Sequence, residues 1–260
     1  MPELPDVEKY KKAADKSIGS KVDEIIVKDE KFTDATKNSL GRHIKNHKIK
    51  KTRRRGKYLF IEMDNKHALV LHFGMTGYLS YVKPDSETPS YAKCIFELSN
   101  NHKLIYVSKR KLGKIELTDD IEQYIEEQEL GPDALEISKT EFFSKMKQSR
   151  AAVKRFLMNQ SALCGIGNVY ADEILFQACI HPRQKASELT EKQQGELYKQ
   201  MDKVLKTAIK NQADISQMPD NFLLPKRKEG EKCPRGKGKV EKIKISGRSG
   251  YYCPDCQEKQ

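Results

Sequence analysis

The chain has 260 residues, with 49 Lys+Arg against 37 Asp+Glu and a formal net charge of +12. That length predicts two or so domains with a sizeable core, and the basic balance favours a polyanionic partner, most simply nucleic acid. No apolar run approaches the roughly 18 residues of a membrane span, and the charged start lacks the apolar core of a secretory signal. The expectation is a cytoplasmic, non-secreted monomer, nucleoid-associated in a prokaryote. In such a chain the cysteines at 94, 164, 179, 233, 253 and 256 read as thiols or metal ligands rather than a disulfide framework.

Val7, Tyr10 and Ala14 stand at helical spacing and predict a helix over 6–18, ended by Gly19. Short β-branched and aromatic runs then predict strands at 22–27, 58–63, 68–72, 78–82, 94–98 and 103–107, a pattern suited to a β-sandwich. Residues 116–141 are acidic, broken by Leu130-Gly131-Pro132-Asp133, and read as a linker. Helical patterns follow at 138–146, 152–158, 167–179 and 190–212. From Pro225 the tail is basic, glycine-rich and holds three cysteines. The fold class is therefore α+β: a helix with a β-rich domain, a helical domain, and a small cysteine module.

Removal of Met1 would expose Pro2, whose secondary amine titrates near neutrality and can attack an aldehyde-like carbon to form an iminium. Glu3 stands beside it as a proton donor or acceptor. Alone, a Met-Pro start does no more than shape a leader before a helix. Residues 42–57 carry Arg42, Lys45, Lys48, Lys50, Lys51, Arg53, Arg54, Arg55 and Lys57 with no acid among them. The run reads as a solvated face or as phosphate contact, with Lys57 held just before a strand. In His72-Phe73-Gly74-Met75-Thr76-Gly77, two glycines let the backbone turn sharply, and Met75 at the tip could enter the space left by an extruded base. Core filling by Met75 and His72 is the plainer reading. Lys109-Arg110-Lys111-Leu112-Gly113 could offer a guanidinium and a second wedge.

Gly165-Ile166-Gly167-Asn168 makes a tight turn into a helix, placing Asn168 where free N–H groups and the helix dipole bind phosphate or where it merely caps. In the tail, Cys253-Pro254-Asp255-Cys256 forms a C-x2-C knuckle. The matching upstream pair is broken, because Cys233 is present but position 236 is Gly.

Taken together, these motifs resemble the formamidopyrimidine-DNA glycosylase/endonuclease VIII family over essentially the whole chain, closer to the formamidopyrimidine branch. The residues that carry the resemblance are Pro2-Glu3-Leu4-Pro5-Asp6-Val7-Glu8, Arg54-Arg55-Gly56-Lys57-Tyr58-Leu59, the His72–Gly77 turn, Leu130-Gly131-Pro132-Asp133, Gly165-Ile166-Gly167-Asn168-Val169-Tyr170, and Arg248 with Tyr252-Cys253-Pro254-Asp255-Cys256-Gln257. The resemblance implies an N-terminal catalytic helix and β-sandwich at 1–130, a helix–two-turn–helix domain at 131–217, and a C-terminal finger hairpin at 218–260. It implies a bifunctional DNA glycosylase/AP lyase acting on duplex DNA with damaged bases or abasic sites. Pro2 matches the nucleophile, Glu3 the acid/base, and Lys57 and Arg248 two further catalytic-site cations that grip the backbone at the lesion.

Met75, Arg110 and Leu112 match the residues that fill the gap of the flipped base, Leu112 where phenylalanine is usual. His72, Lys154 and Asn168 match other DNA contacts. Two departures stand out. Three thiolates, Cys233, Cys253 and Cys256, leave zinc open: the site closes with water or Asp255, or the hairpin works without metal through Arg235, Lys237, Lys239, Lys242, Lys244 and Arg248. No organic cofactor is implied. The segment 211–232 looks short for the loop that covers 8-oxoguanine, so ring-opened purines, oxidised pyrimidines and hydantoins are equally expected substrates. An endonuclease VIII-like preference, or damaged-DNA binding without cutting, are the alternatives.

Overall fold

The computed structural model describes residues 1–29, 37–236 and 238–258 and divides into two compact units, Met1–Gln128 and Glu129–Gln260. Lys237, one of the basic tail residues, lies outside the described residues.

The first unit opens with α1 (Leu4–Asp15). Pro5 sits in its first turn, where a missing N–H costs no helical bond, and Leu4, Val7 and Ala14 form the buried face. The helix ends before Ile18, which is exposed and off that face. There follow β1 (Val22–Val27), α2 (Lys37–His43), β2 (Ile49–Arg55), β3 (Tyr58–Met63), β4 (Ala68–His72), β5 (Gly77–Val82), β6 (Ala92–Leu98), β7 (Lys103–Ser108), β8 (Lys114–Thr118) and α3 (Ile121–Glu127). Two four-stranded antiparallel sheets result, ordered β1-β6-β7-β5 and β2-β3-β4-β8. One core joins them: Ile25, Phe96 and Leu104 from the first sheet meet Leu59, Ile61, Leu69 and Leu71 from the second, with Val7 of α1 among them. The expected sandwich is thus present.

Strand β2 was not expected. Its cationic side chains hide the alternation that marks a strand: only Ile49 and Thr52 are buried, and the register slips between Ile49 and Lys51. The part of the basic run from Lys50 to Arg55 therefore lies on an edge strand, where charge also discourages pairing with another chain. The expected linker at 116–141 instead begins with the end of β8 and with α3. Phe60 is fully buried although it lies on the opposite face of β3 from Leu59 and Ile61. Tyr124 of α3 covers it edge-on at 5.9 Å, and the Tyr124 hydroxyl donates to Glu116 at 2.6 Å.

The second unit contains α4 (Lys139–Gln148), α5 (Val153–Leu157), α6 (Asn168–Gln177), α7 (Glu191–Lys210) and the hairpin β9 (Glu241–Ile245)–β10 (Arg248–Tyr252). The helices match the expected spans to a residue or two at each end. Thr190 and Gln193 close a capping box at the start of α7, whose buried face is Leu197, Met201, Val204, Leu205 and Ala208. Helix α6 is buried nearly all round, acids included. The tail shares its small core with that helix: Phe176 packs with Leu223, Cys233, Val240 and Cys253.

Candidate functional site

In the first unit, Glu3 is the N-cap of α1 and only 1% exposed, while Pro2 is half-buried. The Glu3 N–H donates to Asp6 Oδ2 at 2.8 Å. Burial raises the pKa of Asp6; the Glu3 N–H and the chain's amino terminus act against that rise. Asp6 was not singled out from the sequence, although its spacing after Glu3 is that of a capping pair. Beneath it, burial and then the Asp6 charge push the Tyr10 hydroxyl upward, and the Tyr10 ring packs 4.6 Å from Phe73.

Lys57 is buried in the turn between β2 and β3. Strand register sets Tyr58 opposite His72 and His72 opposite Lys114. Burial first, then the charges of Lys57 and Lys114, lower the His72 pKa to about 4, so its imidazole is neutral at pH 7. The neutral His72 imidazole can take part in a hydrogen bond but brings no charge.

The turns carrying Met75 and Leu112 interlock. Gly74 adopts φ 56°, and a Cβ there would strike the backbone of Leu112. A Cβ on Gly113 would strike the Tyr106 hydroxyl and the His72 carbonyl, which are themselves hydrogen-bonded at 2.7 Å. The Arg110 N–H donates to Thr76 Oγ1 at 3.1 Å. Met75 and Leu112 are thereby held outward, 39% and 52% exposed, beside exposed Arg110. Such large apolar side chains cost free energy in water and suit insertion into a base stack. Gly113→Ala should destabilise the first unit by about 1–3 kcal/mol through overpacking and weaken binding to abasic-site DNA. Urea unfolding and a binding titration check this; unchanged stability would mean the turns are not interlocked.

In the second unit, Arg248 begins β10 and lines a cavity of about 860 Å³ with Ser149, Arg150, Lys154 and Arg155. The structure thus brings together Arg248 and Lys154, two of the residues singled out, and adds Arg150 and Arg155. Lys154 is not a surface cation. It is 1% exposed, and its Nζ lies 2.7 Å from Asp172 Oδ1. Asp172 also accepts from Arg227 Nε at 2.9 Å and from the Tyr251 N–H at 3.1 Å. Asn168, at the first turn of α6, donates its carboxamide to the Ser249 carbonyl at 2.8 Å. Asp172 and Asn168 together fasten the hairpin to α6.

Next to Asp172, fully buried Glu173 accepts from Gln177 Nε2 at 2.8 Å and the Leu224 N–H at 2.7 Å. Burial raises its pKa from 4.5 to about 7. The folded state therefore keeps a proton that the unfolded state releases, and stability present below about pH 4.5 is lost as pH rises towards 7, by about 3 kcal/mol. Glu173→Gln should flatten this slope while losing one acceptor position. Unfolding free energies at pH 5 and pH 8 test it; an unchanged slope would exclude Glu173 as its source.

Cys233, Cys253 and Cys256 cluster with their sulfurs within 4.8 Å of one another and could hold zinc through three thiolates. Asp255 does not join them: its carboxylate lies against Gly238. Arg235, between Cys233 and Gly236, donates to the Gln177 carbonyl at 3.1 Å and stacks on Phe176 at 4.6 Å, tying this turn to α6.

Three family models match the chain: the formamidopyrimidine-DNA glycosylase N-terminal domain at 1–115, the formamidopyrimidine-DNA glycosylase H2TH domain at 130–220, and the zinc finger found in FPG and IleRS at 230–259. The formamidopyrimidine-DNA glycosylase of Pelotomaculum thermopropionicum is 34% identical over 99% of both chains. That of Arabidopsis thaliana is 32% identical over 99% of this chain and 71% of its own. Among solved structures, Lactococcus lactis Fpg with abasic-site DNA matches with TM-score 0.88 and 29% identity, covering 99% of this chain and 100% of that one. A sandwich led by a capped helix, an H2TH helical unit and a finger hairpin define the architecture of a base-excision DNA glycosylase. The chain belongs to the formamidopyrimidine-DNA glycosylase family.

Proposed function

We propose that the chain is a bifunctional DNA glycosylase/AP lyase of base excision repair, which removes ring-opened or oxidised bases from duplex DNA and nicks the strand. The observation that carries this reading is the full-length match to formamidopyrimidine-DNA glycosylases, with Pro2-Glu3 at the cap of the first helix. The relatives solved with abasic-site and Fapy-dG DNA support DNA as partner. Among the described residues no helix is long and apolar enough to cross a membrane. The site of action is the genome, in the cytoplasm or on the nucleoid.

Once Met1 is removed, the Pro2 nitrogen attacks C1′ of the damaged nucleotide, and the bond from C1′ to the base breaks. Glu3 handles the proton that accompanies ring opening and base departure. The product is an iminium joining C1′ to Pro2. It draws electrons from the neighbouring carbon, so the C2′ proton leaves and the 3′ phosphate is expelled, with a second elimination at the 5′ side. Lys57 and Arg248 hold the flanking phosphates, with Arg150 and Arg155 adding positive potential around Arg248. Met75, Arg110 and Leu112 occupy the gap left by the extruded base.

The three-cysteine tail supports the hairpin that presents Arg248; zinc bound there would supply structural cross-linking, and no chemical step runs through it. Borohydride trapping tests the reading on duplexes carrying an abasic site, 8-oxoguanine, ring-opened guanine or an oxidised pyrimidine. An adduct mapping to Pro2 is expected. Tight binding to abasic DNA with no adduct on any duplex would reduce the chain to a damage reader.

A further inference from the structure

Two similar turns frame the cysteine cluster. In each, the N–H of the fourth residue donates to the carbonyl of the first: Gly236 to Cys233 at 2.9 Å, and Cys256 to Cys253 at 3.1 Å. The second turn carries its fourth side chain into the cluster, with Cys256 Sγ 3.6 Å from Cys233 Sγ. The first turn ends on Gly236 and brings nothing. A Cβ at Gly236 would find no atom within 4 Å, so no described side chain fills the place where a fourth ligand would start from this turn. Among the described residues no neighbour reaches in to replace it. Asp255 lies against Gly238, and Cys179 Sγ accepts from Arg235 Nη1 at 2.7 Å. Among the described residues the ligating group is Cys233, Cys253 and Cys256 and nothing more. Cys256 is only half-buried, which leaves a route from solvent.

Zinc favours four tetrahedral ligands, and soft thiolates select it over magnesium or calcium. A site closed by four protein side chains holds its metal inertly, whereas three side chains leave one position to solution. We propose that this cluster is a three-thiolate zinc site whose fourth position, beside Gly236, is filled by an exchangeable ligand from solution: water, displaced by a small nitrogen or sulfur donor such as imidazole. The finger would then be structural in place but open in coordination, and its metal would respond to small donors around it.

The test uses the full-length chain loaded with cobalt in place of zinc, whose visible bands report ligand number and type. Adding imidazole should shift those bands saturably, and the zinc-loaded chain should bind one zinc per molecule. Gly236→Cys should remove the imidazole response and slow zinc release to a chelator by at least about tenfold. Gly236 has φ 75°, where a Cβ is strained, so the imidazole titration on the unaltered chain is the deciding measurement. Cobalt bands that ignore imidazole would show a site closed by the protein and overturn the proposal. So would a chain that takes up no metal at all.

Discussion

Asp172→Ala is expected to destabilise the second unit by about 3–5 kcal/mol, the cost of leaving a buried charge without its partner. The carboxylate is buried between Lys154 Nζ at 2.7 Å and Arg227 Nη2 at 2.7 Å, and it also receives the Tyr251 N–H. Removing it strands an ammonium that is 1% exposed and frees the guanidinium that lies over the Tyr251 ring at 4.8 Å. The hairpin would lose one of its two side-chain fastenings to α6, Asn168 on the Ser249 carbonyl being the other, so two losses add: global stability and the placement of Arg248. Thermal unfolding should show a drop of roughly 10 °C or more, and affinity for abasic-site DNA should fall in step. Pairing Asp172→Ala with Lys154→Met should recover much of the stability, because the stranded charge is then gone. It should not recover the binding, because Arg227 and the Tyr251 N–H still lack the carboxylate that ties the hairpin to α6. A single variant within 1 kcal/mol of the native chain would show that Asp172 is not the tie.

What could be read from the chain, and what could not, follows from how local each signal is. Pro2 and Glu3 could be singled out because a nucleophilic amine beside a carboxylate is a property of neighbouring residues; that Glu3 caps α1 and pairs with Asp6 comes only from the structure. The glycines Gly74 and Gly77 likewise mark a sharp turn in the sequence, but that Gly113 is a close approach and that the two turns lock against each other comes only from the structure. The long helices were legible because α7 repeats its apolar residues over many turns. Strand β2 was hidden by its own arginines, and α3 by acidity that resembles a linker; both exist because the sheet needs an edge and Phe60 needs a cover. Lys154 shows the limit most clearly. Its resemblance to a DNA contact names the residue, but only the fold reveals that Asp172 takes its charge. Arg227 and Glu173 had no sequence signal at all, since a buried acid or its cation looks in sequence like any solvated one.

Glu3→Gln is the substitution that should separate the two halves of the chemistry. Glutamine has the same shape, so the nearly fully buried N-cap is kept and the Glu3 N–H can still reach Asp6. What disappears is the transferable proton. Base excision should fall by roughly 10²- to 10⁴-fold, the usual contribution of a positioned general acid or base. On a duplex that already carries an abasic site the base has gone, so the proton needed for its departure is no longer needed. Strand nicking there should fall much less, and borohydride should still trap the variant through Pro2. Binding to a non-cleavable abasic analogue should stay at the native level, since the wedge residues Met75, Arg110 and Leu112 are untouched. The measurement is single-turnover kinetics on matched lesion and abasic duplexes. Equal losses on both would place Glu3 in iminium formation itself, common to the two reactions. Native excision would remove Glu3 from the mechanism and leave Asp6, whose pKa burial already raises, as the acid to examine at that helix start.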